Sequence, residues 1–157
     1  MAADFRFPLN DCFMRHFTLS VIYTVLCTVI CCSCTNDENI GDFYGRWQIT
    51  TIENPDTTIT PDNLFLSFQS YTVFASVNDY VLHLAKDYVG NWSQPSPSAL
   101  RLQFVPADEN MTAQYETVIR DVFRMGDYRD VNLTIESMDA RKMHLCNGTT
   151  HWYLHIY

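Results

Sequence analysis

Residues 131–156 read VNLTIESMDARKMHLCNGTTHWYLHI, and this stretch decides the fold class of the chain. Its apolar side chains recur at every second position, in the sets Val131/Leu133/Ile135, Met143/Leu145 and Trp152/Leu154/Ile156. A period of two is typical of β-strands with one buried face. Asp139-Ala140 and Asn147-Gly148 separate the runs and are residue types that form hairpin turns. The stretch therefore predicts three antiparallel strands joined by two hairpins.

The same alternation extends towards the N-terminus. The further alternating runs are Leu64/Leu66/Phe68, Val73/Ala75/Val77, Tyr80/Leu82/Leu84 and Leu100/Leu102/Phe104. Turn-forming residues separate these runs at 69–70, 78–79 and 94–98. About eight or nine antiparallel strands result, which leaves a choice between a barrel and a sandwich. Because the strands follow one another through short hairpins, the pattern favours an up-and-down β-barrel.

One segment breaks this pattern, because its apolar residues recur at helical spacing. These residues are Met111, Tyr115, Val118, Ile119, Val122 and Phe123. Asp108 before them suits an N-cap and Gly126 after them suits a stop, so the segment predicts one short amphipathic helix. Glu116 and Arg120 are spaced to form an ion pair on its polar face. The apolar face either covers an open end or flank of the barrel permanently or forms a movable lid over a cavity.

A run without charges occupies positions 17–32, close to the start of the chain. As a helix it spans roughly 24 Å, which is shorter than the roughly 30 Å hydrocarbon core of a bilayer. The run therefore predicts an export signal over residues 1–33. Arg15 and His16 precede it, and translation starts at either Met1 or Met14.

The cysteines and the charge limit the classes of protein. Of the six cysteines, Cys34 follows the predicted signal and Cys146 stands alone in the remaining domain, while the other four lie in the signal. No intramolecular disulfide is then available, so the core must hold the fold. The formal net charge is −8. An acidic surface argues against binding of nucleic acid.

The end of the predicted signal resembles a bacterial lipobox. In Ile30-Cys31-Cys32-Ser33-Cys34, a small residue precedes the cysteine that would receive the lipid. The resemblance implies lipid attachment at Cys34, and ordinary signal cleavage or an uncleaved anchor are the alternatives. Residues 34–42 are similar to the acidic tethers of surface lipoproteins of the Bacteroidota. This similarity implies an outer-membrane lipoprotein exposed on the cell surface, with a periplasm-facing orientation as the alternative.

The next residues, Gly41-Asp42-Phe43-Tyr44-Gly45-Arg46-Trp47-Gln48-Ile49, resemble the start of a lipocalin-like barrel. In that family Gly-x-Trp leads into the first strand. Residues 137–145 are similar to the late hairpin of small lipocalin-like lipoproteins of the Bacteroidota. The resemblance covers residues 43–157 and implies an antiparallel lipocalin-like barrel of about eight strands. In such a barrel, Gly45 would allow the tight turn and Trp47 would plug the closed end.

The resemblance also implies noncovalent binding of a small apolar or amphipathic ligand, without a cofactor, at the end opposite Trp47. The candidate wall residues are Leu82, Leu102, Phe104 and Leu154. Packing in a filled core is the alternative role of each of them.

Four residues share one face of the last strand and are called the His/Tyr stripe: His151, Tyr153, His155 and Tyr157. Along a strand, His151 and His155 lie roughly 13 Å apart, too far to share one ion at about 2.1 Å from each nitrogen. No metal site is therefore predicted from them. The stripe is interpreted as an outer face, covered or used by a partner.

Three functional hypotheses follow, of which ligand binding is the first. The second is an interaction protein, an accessory subunit or inhibitor, which presents loops or the His/Tyr stripe while its core is filled. The third is a small hydrolase, for which Cys146 and His144 share a face as possible nucleophile and base, or His83 serves as the base. Nucleophile elbows and phosphate-binding loops are absent from the sequence, so an enzyme is not favoured.

Overall fold

Nine β-strands dominate residues 41–157, the part of the chain that the computed structural model describes. The strands are β1 (Gly45–Asn54), β2 (Thr57–Ile59), β3 (Leu64–Gln69), β4 (Thr72–Asp79), β5 (Leu84–Ser96), β6 (Ala99–Phe104), β7 (Val131–Met138), β8 (Lys142–Asn147) and β9 (Thr150–Ile156). The predicted signal, the lipid site at Cys34 and most of the tether lie outside the described residues. Among residues 41–157, no helix combines the length and hydrophobicity needed to cross a membrane.

Eight strands close into a ring, because β1 pairs with β3 on one side and with β9 on the other. Trp47 in β1 lies opposite Leu66 of β3 and Ile156 of β9. The short β2 pairs with the end of β1 and lies outside the ring. All these pairings are antiparallel, and β3 to β9 follow in chain order, so the predicted up-and-down barrel is confirmed.

The connections alternate between the two ends of the barrel, because neighbouring strands run in opposite directions. At one end, which we call the Trp47 end, β1 begins and β9 finishes. At the other end, the 80–83 turn joins β4 to β5 and residues 105–130 join β6 to β7. We call residues 105–130 the cap segment and this end the capped end.

The predicted short helix lies in the cap segment. A turn of 3₁₀ helix (Glu109–Met111) leads into α1 (Thr112–Thr117), and a π-helical stretch (Val118–Val122) follows. The Asp108 carboxylate accepts the backbone N–H of Asn110 at 2.8 Å, as expected of an N-cap. Glu116 and Arg120 form the predicted ion pair at 2.7 Å. The helical prediction is confirmed, with a mixed rather than a purely α-helical backbone.

The Trp47 end is packed by aromatic rings. The indole N–H of Trp47 donates to the carbonyl oxygen of Phe43 at 2.9 Å, which ties the preceding 3₁₀ turn (Gly41–Phe43) across this end. The ring of Phe43 also contacts Phe68 and Trp92 at centroid distances of 5.3 and 5.1 Å. Gly45 has a φ of +134°, and a Cβ there would lie 2.6 Å from Ile156 Cδ1. Glycine is therefore needed where the chain turns into β1.

One predicted strand is wrong. Leu82 lies in the 80–83 turn rather than on a middle strand, and it is 64% exposed. The physical reason is Asp79, whose carboxylate accepts the backbone N–H groups of Val81 and Leu82 at 3.0 and 2.9 Å. Such a side-chain bond turns the chain whatever the apolar pattern after it. His83 completes the turn at a φ of +52°.

A candidate ligand site beneath the cap segment

The remaining candidate wall residues face the barrel interior. Leu102 and Phe104 on β6 and Leu154 on β9 are buried in one continuous hydrophobic core. Phe104 is the last residue of β6, and its backbone N–H donates to the carbonyl of Tyr128 in the cap segment at 2.9 Å. Phe104 therefore lies at the capped end, and Leu102 lies one inward position deeper. Leu154 lies opposite Ile49, between the two ends.

The cap segment closes its end of the barrel with side chains that point inwards. Tyr115, Ile119 and Phe123 recur at intervals of four residues and are buried. Two hydrogen bonds fasten them to the strands. The indole N–H of Trp152 donates to the carbonyl oxygen of Phe123 at 2.7 Å, and the backbone N–H of Val89 donates to the hydroxyl of Tyr115 at 3.1 Å.

Three tyrosine rings meet where the cap segment contacts β5. The Tyr115 ring lies 5.0 Å from that of Tyr88 and 6.4 Å from that of Tyr128, centroid to centroid, and all three are buried. Burial, with a smaller contribution from Tyr115, raises the pKa of Tyr88 above its ordinary value. A phenol of ordinary pKa is already protonated at neutral pH, and this shift extends the protonated range of Tyr88 to higher pH. The Tyr115 hydroxyl accepts the Val89 N–H and the Tyr128 hydroxyl accepts the Nε–H of Arg129, so partly buried polar groups border the apolar interior, which suits an amphipathic ligand.

Large side chains fill the barrel between its two ends. The largest fully buried ones are Trp47, Trp152, Phe65, Phe68, Phe104 and Phe123, and all but Phe65 belong to the core cluster. A ligand inside the barrel would therefore have to displace side chains rather than enter a ready cavity. At the Trp47 end, the buried indole N–H of Trp92 has no hydrogen-bond partner within residues 41–157. Buried donors are normally paired, so Trp92 has an unused donor for water or a ligand.

The 80–83 turn carries an exposed apolar group instead of a cavity wall. Val81 is 87% exposed, and Tyr80, Leu82 and Leu84 also have most or half of their surface in solvent. Exposed apolar side chains that cluster are typical of contact surfaces. Asp79 at the start of the turn was the sequence signal for this arrangement.

The His/Tyr stripe lies on the outer face of the barrel, as interpreted from the sequence. A groove of about 510 Å³ crosses this face. Its outward side chains include Thr50, Ser137, Lys142, His144, Tyr153 and His155. The structure adds a contact that periodicity along one strand could not reveal, because His144 Nε2 and His151 Nδ1 are 3.1 Å apart across β8 and β9. The two histidines meet because β8 and β9 pair in a hairpin. The hairpin register, counted from the Asn147-Gly148 turn, could have predicted the contact.

The hydrolase hypothesis receives no support from Cys146. Its thiol is buried and donates to the Glu136 carboxylate at 3.0 Å. This hydrogen bond, together with burial, raises the pKa of Cys146. A raised pKa keeps the residue as a thiol, whereas catalysis requires the thiolate. Among residues 41–157, no three or more His, Cys, Asp or Glu side chains are grouped as metal ligands.

Comparisons with known proteins agree with this architecture. A family model described as a lipocalin-like domain matches residues 28–157. An uncharacterized protein from Bacteroides eggerthii is similar in structure, with a TM-score of 0.61 at 19% identity over 73% of this chain and 99% of the other. A lipocalin-like protein from Bacteroides uniformis gives a TM-score of 0.60 at 18% identity over 74% of this chain and 100% of the other.

The sequence matches no curated protein. The two structural similarities are low in identity and therefore support the fold, whereas the family model covers most of the sequence. It includes every strand and the cap segment. The chain therefore belongs to the lipocalin-like domain family.

Proposed function

We propose that this protein binds one small amphipathic molecule noncovalently inside the barrel, at the capped end, and that the cap segment moves aside to admit it. The proposal rests on the way in which the capped end is closed. A separate segment closes it by inserting Tyr115, Ile119 and Phe123, and the Tyr115 ring contacts the buried ring of Tyr88. Membership of the lipocalin-like family supports small-molecule binding as the general role.

The backbone of the cap segment favours such a movement. Its helical part changes from 3₁₀ to α to π within residues 109–122, and π-helical stretches are frequent at functional sites. Immediately after it, Arg124 and Gly126 adopt positive φ angles of 61° and 82°. The segment returns to β7 through these two residues, and we place the hinge of the proposed movement there.

The ligand must offset the free energy that opening the cap segment costs. Exposing a buried apolar side chain costs roughly 1.5–3 kcal/mol, and the cap segment buries three that point into the barrel end. A ligand shifts the equilibrium only by the difference in its affinity for the open and closed states. The ligand therefore needs an apolar body that replaces these contacts and a polar group that pairs with the tyrosine hydroxyls. Fatty acids, sterols and bile acids have this chemistry.

The test is a titration of detergent-free protein with an environment-sensitive apolar dye and with these three ligand classes, accompanied by native mass spectrometry. Ile119→Ala removes apolar volume beneath the cap segment, so it should strengthen dye binding several-fold. Val122→Ala changes a 37% exposed residue in the same helical part and should leave binding unchanged. Absence of saturable binding in both the unmodified protein and Ile119→Ala would reject the proposal.

A lipid on Cys34 would hold this binding domain at the outer membrane, on the cell surface. Support for this part comes from the small Ser33 before Cys34 and from the acidic residues of the tether. The similar structures from Bacteroides agree with an origin in the Bacteroidota.

An interaction protein is the second candidate, because a specific observation favours it. The exposed residues of the 80–83 turn, with Leu84, offer an apolar contact at the capped end. Site-specific photocrosslinking from position 82 in intact cells would then yield a defined protein adduct. Position 44 is a matched control, since Tyr44 is 67% exposed at the Trp47 end. Identical adducts from both positions would exclude this role for the turn.

A further inference from the structure

We propose that His144 and His151 form a two-histidine binding site for a divalent transition-metal ion on the outer face of the barrel. The site is separate from the barrel interior, so it does not depend on the proposed ligand binding. It also differs from the His151/His155 pair, whose separation along β9 excludes a shared ion.

The distance between the two imidazole nitrogens carries the inference. His144 Nε2 and His151 Nδ1 are 3.1 Å apart. Two nitrogens that bind one zinc ion at about 2.1 Å are separated by roughly 3.0 Å at a right angle and roughly 3.4 Å at a tetrahedral angle. The observed distance lies within this interval. At this distance the two rings share a hydrogen bond whose donor depends on the tautomer, and an ion bound by both nitrogens would take the place of that proton.

Strand pairing holds both rings in place. His144 in β8 lies opposite Tyr153 in β9, and His151 lies opposite Cys146, so the two histidines are diagonal neighbours on one face. The His144 ring is stacked on Tyr153 at a centroid distance of 4.3 Å and an interplanar angle of 17°. Both histidines are partly buried, which restricts their rotation. Ligands whose orientation is restricted by their neighbours bind a metal at lower entropic cost.

Nearby acidic groups are already engaged with other partners. The Glu136 carboxylate accepts the Cys146 thiol, and the carboxylate of Glu53, which lies opposite His151, accepts the Tyr153 hydroxyl. No third side chain completes a ligand set within residues 41–157. The ion would consequently have two protein ligands, and water or a small donor molecule would fill its other positions. His144 lines the 510 Å³ groove and His151 does not, so the ion would lie at one edge of the groove.

Imidazole nitrogen favours Zn²⁺, Cu²⁺ and Ni²⁺ over Mg²⁺, which prefers oxygen ligands. The experiment is isothermal titration calorimetry of the full-length protein with Zn²⁺, with Mg²⁺ as the comparison. One equivalent of Zn²⁺ should bind at this site, and Mg²⁺ should not compete. Competition by equimolar Mg²⁺ would instead indicate general attraction to the acidic surface and would overturn the proposal.

Histidine variants test which residues bind the ion. His144→Ala and His151→Ala should each weaken Zn²⁺ binding at least tenfold, and circular dichroism verifies that they fold. His155→Ala is the matched control, because it removes an exposed imidazole from the same face of β9 and should leave the affinity unchanged. The variants are identical outside the barrel, so differences between them report on the barrel alone.

Two further measurements keep the result interpretable. Zn²⁺ should shift the imidazole NMR resonances of His144 and His151 and leave those of His83 and His155 unchanged. Cys146→Ser should retain the affinity, because its thiol is bonded to Glu136. Unaltered affinity in His144→Ala, or loss of binding in Cys146→Ser alone, would overturn the two-histidine site.

Discussion

Truncation of Trp47 to alanine should strongly destabilise the barrel. The Trp47 side chain is 1% exposed and its indole N–H bonds to the Phe43 carbonyl. Tryptophan-to-alanine changes in a core cost about 3–5 kcal/mol, and loss of the hydrogen bond adds about 1 kcal/mol. The expected loss is therefore about 4–6 kcal/mol. This is a large part of the 5–15 kcal/mol by which a domain is typically stable.

Urea denaturation followed by far-UV circular dichroism measures this loss in the compact unit Asn39–Tyr157. Circular dichroism is preferred to fluorescence because the variant lacks one tryptophan. At about 4 °C per kcal/mol, the midpoint of thermal unfolding should fall by about 16–24 °C.

Two control variants separate the contributions. Trp47→Phe retains an aromatic ring and removes the hydrogen bond, so it should lose much less stability than Trp47→Ala. Tyr44→Ala changes a 67% exposed side chain nearby and should alter stability by less than about 0.5 kcal/mol. A loss below about 1 kcal/mol for Trp47→Ala would refute the view that this side chain closes the barrel.

Three other predictions concern separate regions. An alkyne fatty acid should label the protein in cells, and Cys34→Ala should abolish the label; labelling that persists would refute attachment at Cys34. Iodoacetamide should modify native Cys146 slowly at pH 8, and Glu136→Gln should accelerate the reaction by lowering the thiol pKa; an unchanged rate would contradict this. Asp139→Ala should lower the unfolding temperature at pH 7 but not at pH 2. The Asp139 carboxylate accepts two backbone N–H groups in the β7–β8 turn, and these bonds lower its pKa. The stability that they provide is therefore lost as the pH falls through that pKa. An equal decrease at both pH values would exclude the carboxylate as its source.

Local sequence patterns predicted most of the strands of this protein. Alternation at positions 131–156 correctly predicted β7, β8 and β9 with their buried faces. Asp108 correctly marked the start of the helical part of the cap segment, which ends at Val122, four residues before the predicted stop at Gly126. Such features depend on neighbours within a few residues, which is why they can be inferred without a structure. The same local reasoning failed at Leu82, because the Asp79 carboxylate accepts two backbone N–H groups there and stabilises a turn.

The tertiary structure decided which residues from distant parts of the chain meet. Closure of the ring brings Trp47 beside Ile156, and the cap segment places Phe123 against Trp152. It also decided that large side chains fill the barrel and that His144 faces His151. A period of two shows which face of a strand is buried, but it carries no information on the depth of a side chain or on the neighbour across the sheet. Strand register, barrel closure and packing volume set those properties, and they arise only when all the strands are assembled.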